Sequence, residues 1–243
     1  SYAEAAALVV TGLTAWHGLV ELGNVKRGRR VLIHSAAGGV GTAAMQICTS
    51  LGAPPTGVVG AESKATWLQE RFPEAEVLVR GPERGYAAQL AALPGGGRFD
   101  CVLDSLGGKY FSAALESLDP MGRIVHFGAT ASYGGAKDGL FGLRKWLTLL
   151  PGYLSRPWVD PGQLTPTNRG VFGFNMIWLT DRVDLLTAEL DEMLDGGGLL
   201  ARPPAVGAVF PFAQLPDALE LLNSGVTVGK VVVEVGDDAE APP

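Results

Sequence analysis

The feature that most constrains this chain is an apolar run, Val31-Leu-Ile-His34, that passes without a spacer into the glycine-rich turn Ser35-Ala-Ala-Gly-Gly-Val-Gly41 and then into helical periodicity. So short an apolar strand must be buried, and a strand that leads straight into a helix finds its neighbour through a crossover, which makes the pair parallel. The turn has the spacing of G-x-G-x-x-G with Ala36 in place of the first glycine. In such a turn Gly38 lets the backbone approach a pyrophosphate and Gly41 lets the helix pack close to the strand, while the helix N terminus offers N–H groups and a positive dipole end. A glycine triplet alone would also suit a purely structural turn. The strand before it, the helix after it and a second strand at the right distance favour dinucleotide binding at residues 37–41.

The rest of the chain keeps the alternation. Helical spacing over 3–22 precedes the first strand, and a helix over 39–51 stops at Gly52. A strand over 56–60, a helix over 64–72, a strand over 76–79 and a helix over 86–93 follow, the last closed by Pro94 and three glycines. Then come a strand over 99–104, a helix over 110–118 and a strand over 123–127. Strands alternating with helices through short links predict an α/β, doubly wound parallel (Rossmann) sheet. The rhythm breaks over 129–170, which carries Pro151, Pro157, Pro161, Pro166 and one helix over 140–150 with Trp146; a loop so long in a compact domain predicts a lid or a subunit contact. Residues 171–177 read as a strand, 182–194 as a helix, and 205–235 as two short strands around a helix over 215–223. The tail 236–243 is acidic, ends in proline and is expected to be disordered.

A net charge of -6 and a pI near 5.1 argue against a nucleic-acid partner, which calls for a basic face. No unbroken apolar run of about 18 residues predicts a membrane span, and the start does not read as a signal peptide. Cys48 and Cys101 lie among apolar neighbours and read as buried free thiols of a reducing compartment, the cytoplasm.

The second strand distinguishes cofactors. NAD-binding versions carry Asp or Glu about 20 residues beyond the glycines to hold the ribose 2′-hydroxyl. That position is Ala61, and Ser63 and Lys64 follow it, a hydroxyl donor and a cation suited to the 2′-phosphate of NADPH. Glu62, if turned inward, would favour NAD instead, and Lys64 also fits a solvated first helical turn.

Several segments together resemble the quinone reductase and enoyl reductase branch of the medium-chain dehydrogenase/reductase superfamily. They are Gly12-Leu-Thr-Ala-Trp16, the turn at 35–41, Asp104-Ser-Leu-Gly-Gly108, Phe127-Gly128 and Val228-Gly-Lys-Val-Val232. Trp158-Val-Asp-Pro161, Leu164 and Asn168-Arg-Gly-Val-Phe-Gly-Phe174 look more specifically like bacterial homologues of the synaptic-vesicle membrane protein (vesicle amine transport) type. The resemblance covers roughly residues 1–235. It implies a zinc-independent oxidoreductase that moves hydride from NADPH to a quinone or an α,β-unsaturated carbonyl, working as a homodimer paired through the strand at 171–177. Alternatives are the enoyl reductase unit of a polyketide synthase, against which the stretch 168–175 weighs, and a non-catalytic NADPH-binding scaffold or redox sensor.

The resemblance also assigns places. Residues 1–22 become the linker helix from a chaperonin-10-like β-domain, residues 23–204 the dinucleotide-binding domain, and 205–235 a return segment that packs on the β-domain, itself expected to be absent from this chain. Ala37, Gly38, Gly39, Val40 and Gly41 would hold the pyrophosphate, and Ser63 with Lys64 the 2′-phosphate. A tyrosine that relatives often add near the end of the third strand corresponds to Val79, with Arg80 beside it as substitute. Ser105, Gly128, Phe172, Gly173 and Phe174 would line the ribose and nicotinamide, Thr14 would face the nicotinamide, and Lys230 would lie near the cofactor.

Zinc ligation has little to build on: two cysteines more than 50 residues apart cannot form a four-cysteine lobe, and the linker helix has no cysteine. His17, His34 and His126 are expected to sit apart, each packed or hydrogen-bonded. Asp104 reads as a turn-capping carboxylate rather than an acid or base, and Lys109 has no stronger claim. No nucleophile motif is present, so no catalytic residue is named, and any proton donor would come from the absent domain or from solvent.

Overall fold

The computed structural model describes residues 1–128, 157–195 and 202–236. The helix expected over 140–150, most of the insertion at 129–170 and the tail from 237 lie outside the described residues. Among them, six strands form one parallel sheet in the order β3-β2-β1-β4-β5-β6. The strands are β1 Val31–His34, β2 Pro55–Val59, β3 Glu76–Val79, β4 Phe99–Asp104, β5 Leu118–Phe127 and β6 Gly170–Phe174. The order reverses between β1 and β4, the switch point at which a doubly wound sheet opens a crevice at its carboxyl edge. Every residue of β1 and β2 is buried, as a parallel sheet covered on both faces requires.

The two covers are distinct. On one face α1 (Tyr2–Trp16), α2 (Gly39–Ser50) and α3 (Glu62–Arg71) pack over Val31, Ile33, Val59 and Leu103. On the other, α4 (Glu83–Ala91) and α5 (Gly108–Glu116) cover Leu32, Val58, Val102 and Ile124. After the short α6 (Pro161–Leu164) and β6, α7 (Val183–Asp195) returns to the first face against α1. The last elements, β7 (Val206–Pro211), α8 (Leu215–Ser224) and β8 (Lys230–Glu234), form a parallel two-stranded sheet of their own, seated on α1.

Three sequence expectations change here. The helical pattern over 3–22 is α-helix only to Trp16; His17–Leu22 is wound as a π-helix, with the Gly23 N–H bonded to the Gly18 carbonyl at 3.0 Å. At Gly18 the helix passes so close to the sheet that an added Cβ would lie 2.8 Å from Leu103 Cδ1. The whole segment Tyr2–Leu22 is, by length and composition, long and apolar enough to cross a bilayer, although it contains no unbroken apolar run of that length. Just over half of its apolar window is buried inside the protein, the burial of a core helix. Finally, the strand expected over 171–177 stops at Phe174. Asn175 Oδ1 accepts the Ile177 N–H at 3.2 Å, and this local bond turns Met176–Leu179 into a 3-10 helix.

Candidate cofactor site

The glycine-rich turn stands where β1 ends and α2 begins. The left-handed residue of the turn is Ser35, at φ 53°, and its hydroxyl accepts a hydrogen bond from Ser105 Oγ at 2.9 Å, which ties the turn after β1 to the loop after β4. Ala36 is fully buried against β2, where a side chain on Gly57 would come within 3.0 Å of it. Gly41 has no room for a Cβ, which would overlap the Ser35 carbonyl and the Ala36 backbone. Gly38 is more open: its nearest neighbour would be the Ser35 carbonyl at 3.3 Å. No side chain caps α2, whose N-cap is Gly38, so the first turn of the helix faces the crevice with its donors and dipole.

The turn has a second strut. Gly38 and Gly229 form a parallel bridge, and the Gly229 N–H donates to the Ala37 carbonyl at 2.7 Å. Gly229 holds φ 64°, and an added Cβ there would overlap the Ala205 carbonyl. Lys230 follows, exposed, with Cδ 3.5 Å from where a Gly39 Cβ would stand. The segment 228–230 therefore lies along the glycine turn.

At the end of β2 the acidic position is indeed empty: Ala61 is the exposed N-cap of α3, and Glu62 and Ser63 are exposed on its first turn. Lys64 is half-buried, and its ammonium donates to the carbonyl of Gly225, the left-handed residue that ends α8, at 2.6 Å. Burial, and after it the Arg80 charge, lower the Lys64 pKa. Arg80 leaves β3 with its N–H on the Val59 carbonyl at 2.9 Å and lays its guanidinium beside Gly60. Lys64 and Arg80 thus converge on one strand end.

The remaining assigned residues divide. Ser105 and Gly128, the latter at φ 71°, follow β4 and β5 at the carboxyl edge. Phe172, Gly173 and Phe174 lie on β6; Phe172 stacks under Arg123 at 5.7 Å, and Phe174 meets His17 at 5.1 Å and Phe127 at 6.1 Å. Thr14 is buried and its hydroxyl is turned back to the Val10 carbonyl at 2.7 Å, within its own helix.

The histidines do not all sit apart. Asp104, fully buried at the end of β4, accepts from His34 Nδ1 and His126 Nδ1, each at 2.6 Å, on separate carboxylate oxygens. It also accepts the N–H groups of Leu106 at 3.1 Å and Gly107 at 3.2 Å, which is the turn-capping role. His34 Nε2 lies 2.7 Å from the buried Tyr86 hydroxyl, so the His34 tautomer with the proton on Nδ1 completes the chain. Burial alone would raise the Asp104 carboxyl; the hydrogen bonds from His126 and His34 outweigh it and hold it well below the usual carboxylate range. His126 is raised in turn by that same bond. His34 and His126 share a register on β1 and β5, on either side of β4, which sequence spacing cannot display. Only His17 stands alone, on Glu189 Oε1 of α7 at 2.8 Å.

Among the described residues no cluster of three or more His, Cys, Asp or Glu is arranged to hold a metal ion. Both cysteines are buried and free; burial pushes the Cys101 thiol up to about 12.

Comparison with known proteins agrees with this fold. The zinc-binding dehydrogenase family model matches residues 39–150. The synaptic vesicle membrane protein VAT-1 homolog of Homo sapiens is 30% identical over 241 residues, 99% of this chain and 59% of that protein. The highly reducing polyketide synthase ZEA2 of Gibberella zeae is 30% identical over 251 residues, 100% of this chain and 10% of that protein. The quinone oxidoreductase of Thermus thermophilus, solved alone and in complex with NADPH, superposes with a TM-score of 0.71 at 29% identity, covering 97% of this chain and 67% of that one. The chain thus spans less than two thirds of the human relative and a small part of the fungal one.

Proposed function

We propose that the chain is a member of the medium-chain dehydrogenase/reductase superfamily, that it binds NADPH at the carboxyl edge of its sheet, and that it serves hydride transfer to a quinone or an α,β-unsaturated carbonyl. The observation that carries the reading is the pairing of two features. One is a glycine turn that excludes a Cβ at Gly41 and opens an uncapped helix. The other is two cations, Lys64 and Arg80, at the end of β2, where Ala61 offers no carboxylate. These residues fit the cofactor: Ala37, Gly38, Gly39, Val40 and Gly41 would hold the pyrophosphate, and Ser63, Lys64 and Arg80 the 2′-phosphate. Ser105, Gly128 and Phe172 to Phe174 would line the ribose and nicotinamide, with Thr14 and Lys230 beside them. When bound, the nicotinamide supplies the hydride; the protein supplies position, orientation and exclusion of water. The His34-Asp104-His126 array fixes the loop after β4 rather than meeting the reacting atoms.

The wider reading is of a zinc-independent, cytoplasmic homodimer. Trp178 and Ile177, 81% and 68% exposed beside the β6 edge, support pairing there. Tyr2 and Val10 of α1, with Phe212 before α8, are bare apolar side chains that a chaperonin-10-like domain would cover. A polyketide enoyl reductase remains the second reading. ZEA2 and the human homolog share the same identity with this chain, so overall identity does not separate the two.

Fluorescence titration tests the cofactor. NADPH should bind more tightly than NADH, and Lys64→Ala should remove most of that difference; equal affinities in the unmodified protein defeat the reading. NADPH oxidation with a panel of quinones and enones then separates an enzyme from a non-catalytic nucleotide-binding scaffold.

A further inference from the structure

An arginine anchors a phosphate well only if its long, rotatable stem is fixed in advance, because an unclamped side chain gives up its rotamer freedom on binding. Arg80 is clamped to an unusual degree for a half-buried cation. Its Nη1 donates to Tyr110 Oη at 3.0 Å, and its guanidinium lies over the Tyr110 ring at 5.0 Å from the centroid. Its Nη2 reaches over Gly60, 3.4 Å from where a Cβ would be. No carboxylate forms an ion pair with it among the described residues.

Tyr110 is itself immobilised. Its hydroxyl donates to the Gly81 carbonyl at 3.0 Å, and the Gly81 N–H is held by Gln89 Oε1 at 2.8 Å. Its ring meets the fully buried Tyr86 edge-on at 4.9 Å, and Tyr86 is fastened to His34. The phenol therefore uses its one proton on Gly81 and its oxygen on Arg80, which locks the backbone after β3 and the guanidinium with one group. Lys64 approaches the same strand end and feels the Arg80 charge. Two cations held together without a counter-charge make a preformed place for a dianion.

We propose that Tyr110 is a positioning residue for cofactor selectivity: from the start of α5, it holds the Arg80 guanidinium over the end of β2 as the anchor of the 2′-phosphate. The proposal rests on the NADPH reading above.

The test is a titration of NADPH and NADH against the unmodified chain, Tyr110→Phe, Arg80→Ala and the double variant. Tyr110→Phe keeps the ring but loses both hydrogen bonds, and NADPH should bind about fivefold more weakly, the scale of one hydrogen bond, with NADH unchanged. Arg80→Ala should lose more, and adding Tyr110→Phe to it should change little. If Tyr110→Phe proves unstable on a thermal melt, Arg80→Lys serves in its place: it keeps the charge, loses the planar stack, and should lower the NADPH preference with NADH unaltered. A Tyr110→Phe protein with an unchanged NADPH-to-NADH ratio, or one weakened equally toward both, overturns the proposal alone. An unmodified protein without any preference for NADPH removes the cofactor reading and the proposal with it.

Discussion

At the scale of single residues, a few atoms decide whether the crevice can exist. Gly41 is the sharpest case: a Cβ would overlap the backbone of Ser35 and Ala36, so either α2 or the turn must move. Gly41→Ala should lower stability by about 1–3 kcal/mol, the range for overpacking, and weaken NADPH binding more than Gly38→Ala does; chemical denaturation and titration check both. Asp104 gathers charge rather than shape. His126 is raised by its bond to Asp104, so its contribution to stability is present below its unfolded value, about 6.5, and is lost as pH rises through the folded value. Asp104 is depressed, so its contribution is present above its unfolded value, about 3.9, and is lost as pH falls through the folded one. The urea midpoint should therefore decline as pH rises above about 6.5, and His126→Gln should flatten that decline.

At the scale of elements, much of the fold was legible. Val31-Leu-Ile-His34 is an apolar run because it is buried on both faces, and the glycine stops at Gly52 and Gly97 hold positive φ. Legibility failed where a long-range contact or a local competitor decides. Asn175 cuts β6 short through its own side chain. The π-turn at His17–Leu22 belongs to the close passage of Gly18 over Leu103. Tyr110 carried no motif and was missed; it matters only because α5 delivers it to Arg80, 30 residues away in sequence. The β7-α8-β8 unit makes a further prediction. Gly229→Ala would strike the Ala205 carbonyl, so it should unseat β8 and weaken NADPH binding while the six-stranded sheet keeps its circular dichroism. Faster proteolysis within 202–236 should accompany it.

At the scale of the whole molecule, no described strand pairs with the outer edge of β6 beside Trp178 and Ile177, and the proposed pairing of two copies would use that edge. Light scattering should return twice the 25.4 kDa chain mass, and a monomer at high micromolar concentration would count against it. The strut between Gly38 and Gly229 also orders events in time. A ribosome completes β1 and the glycine turn long before it reaches Gly229, the residue that braces the turn. All of the intervening polypeptide must emerge before that loop can be closed, so the nascent protein can assemble its sheet well before its phosphate cradle has both supports.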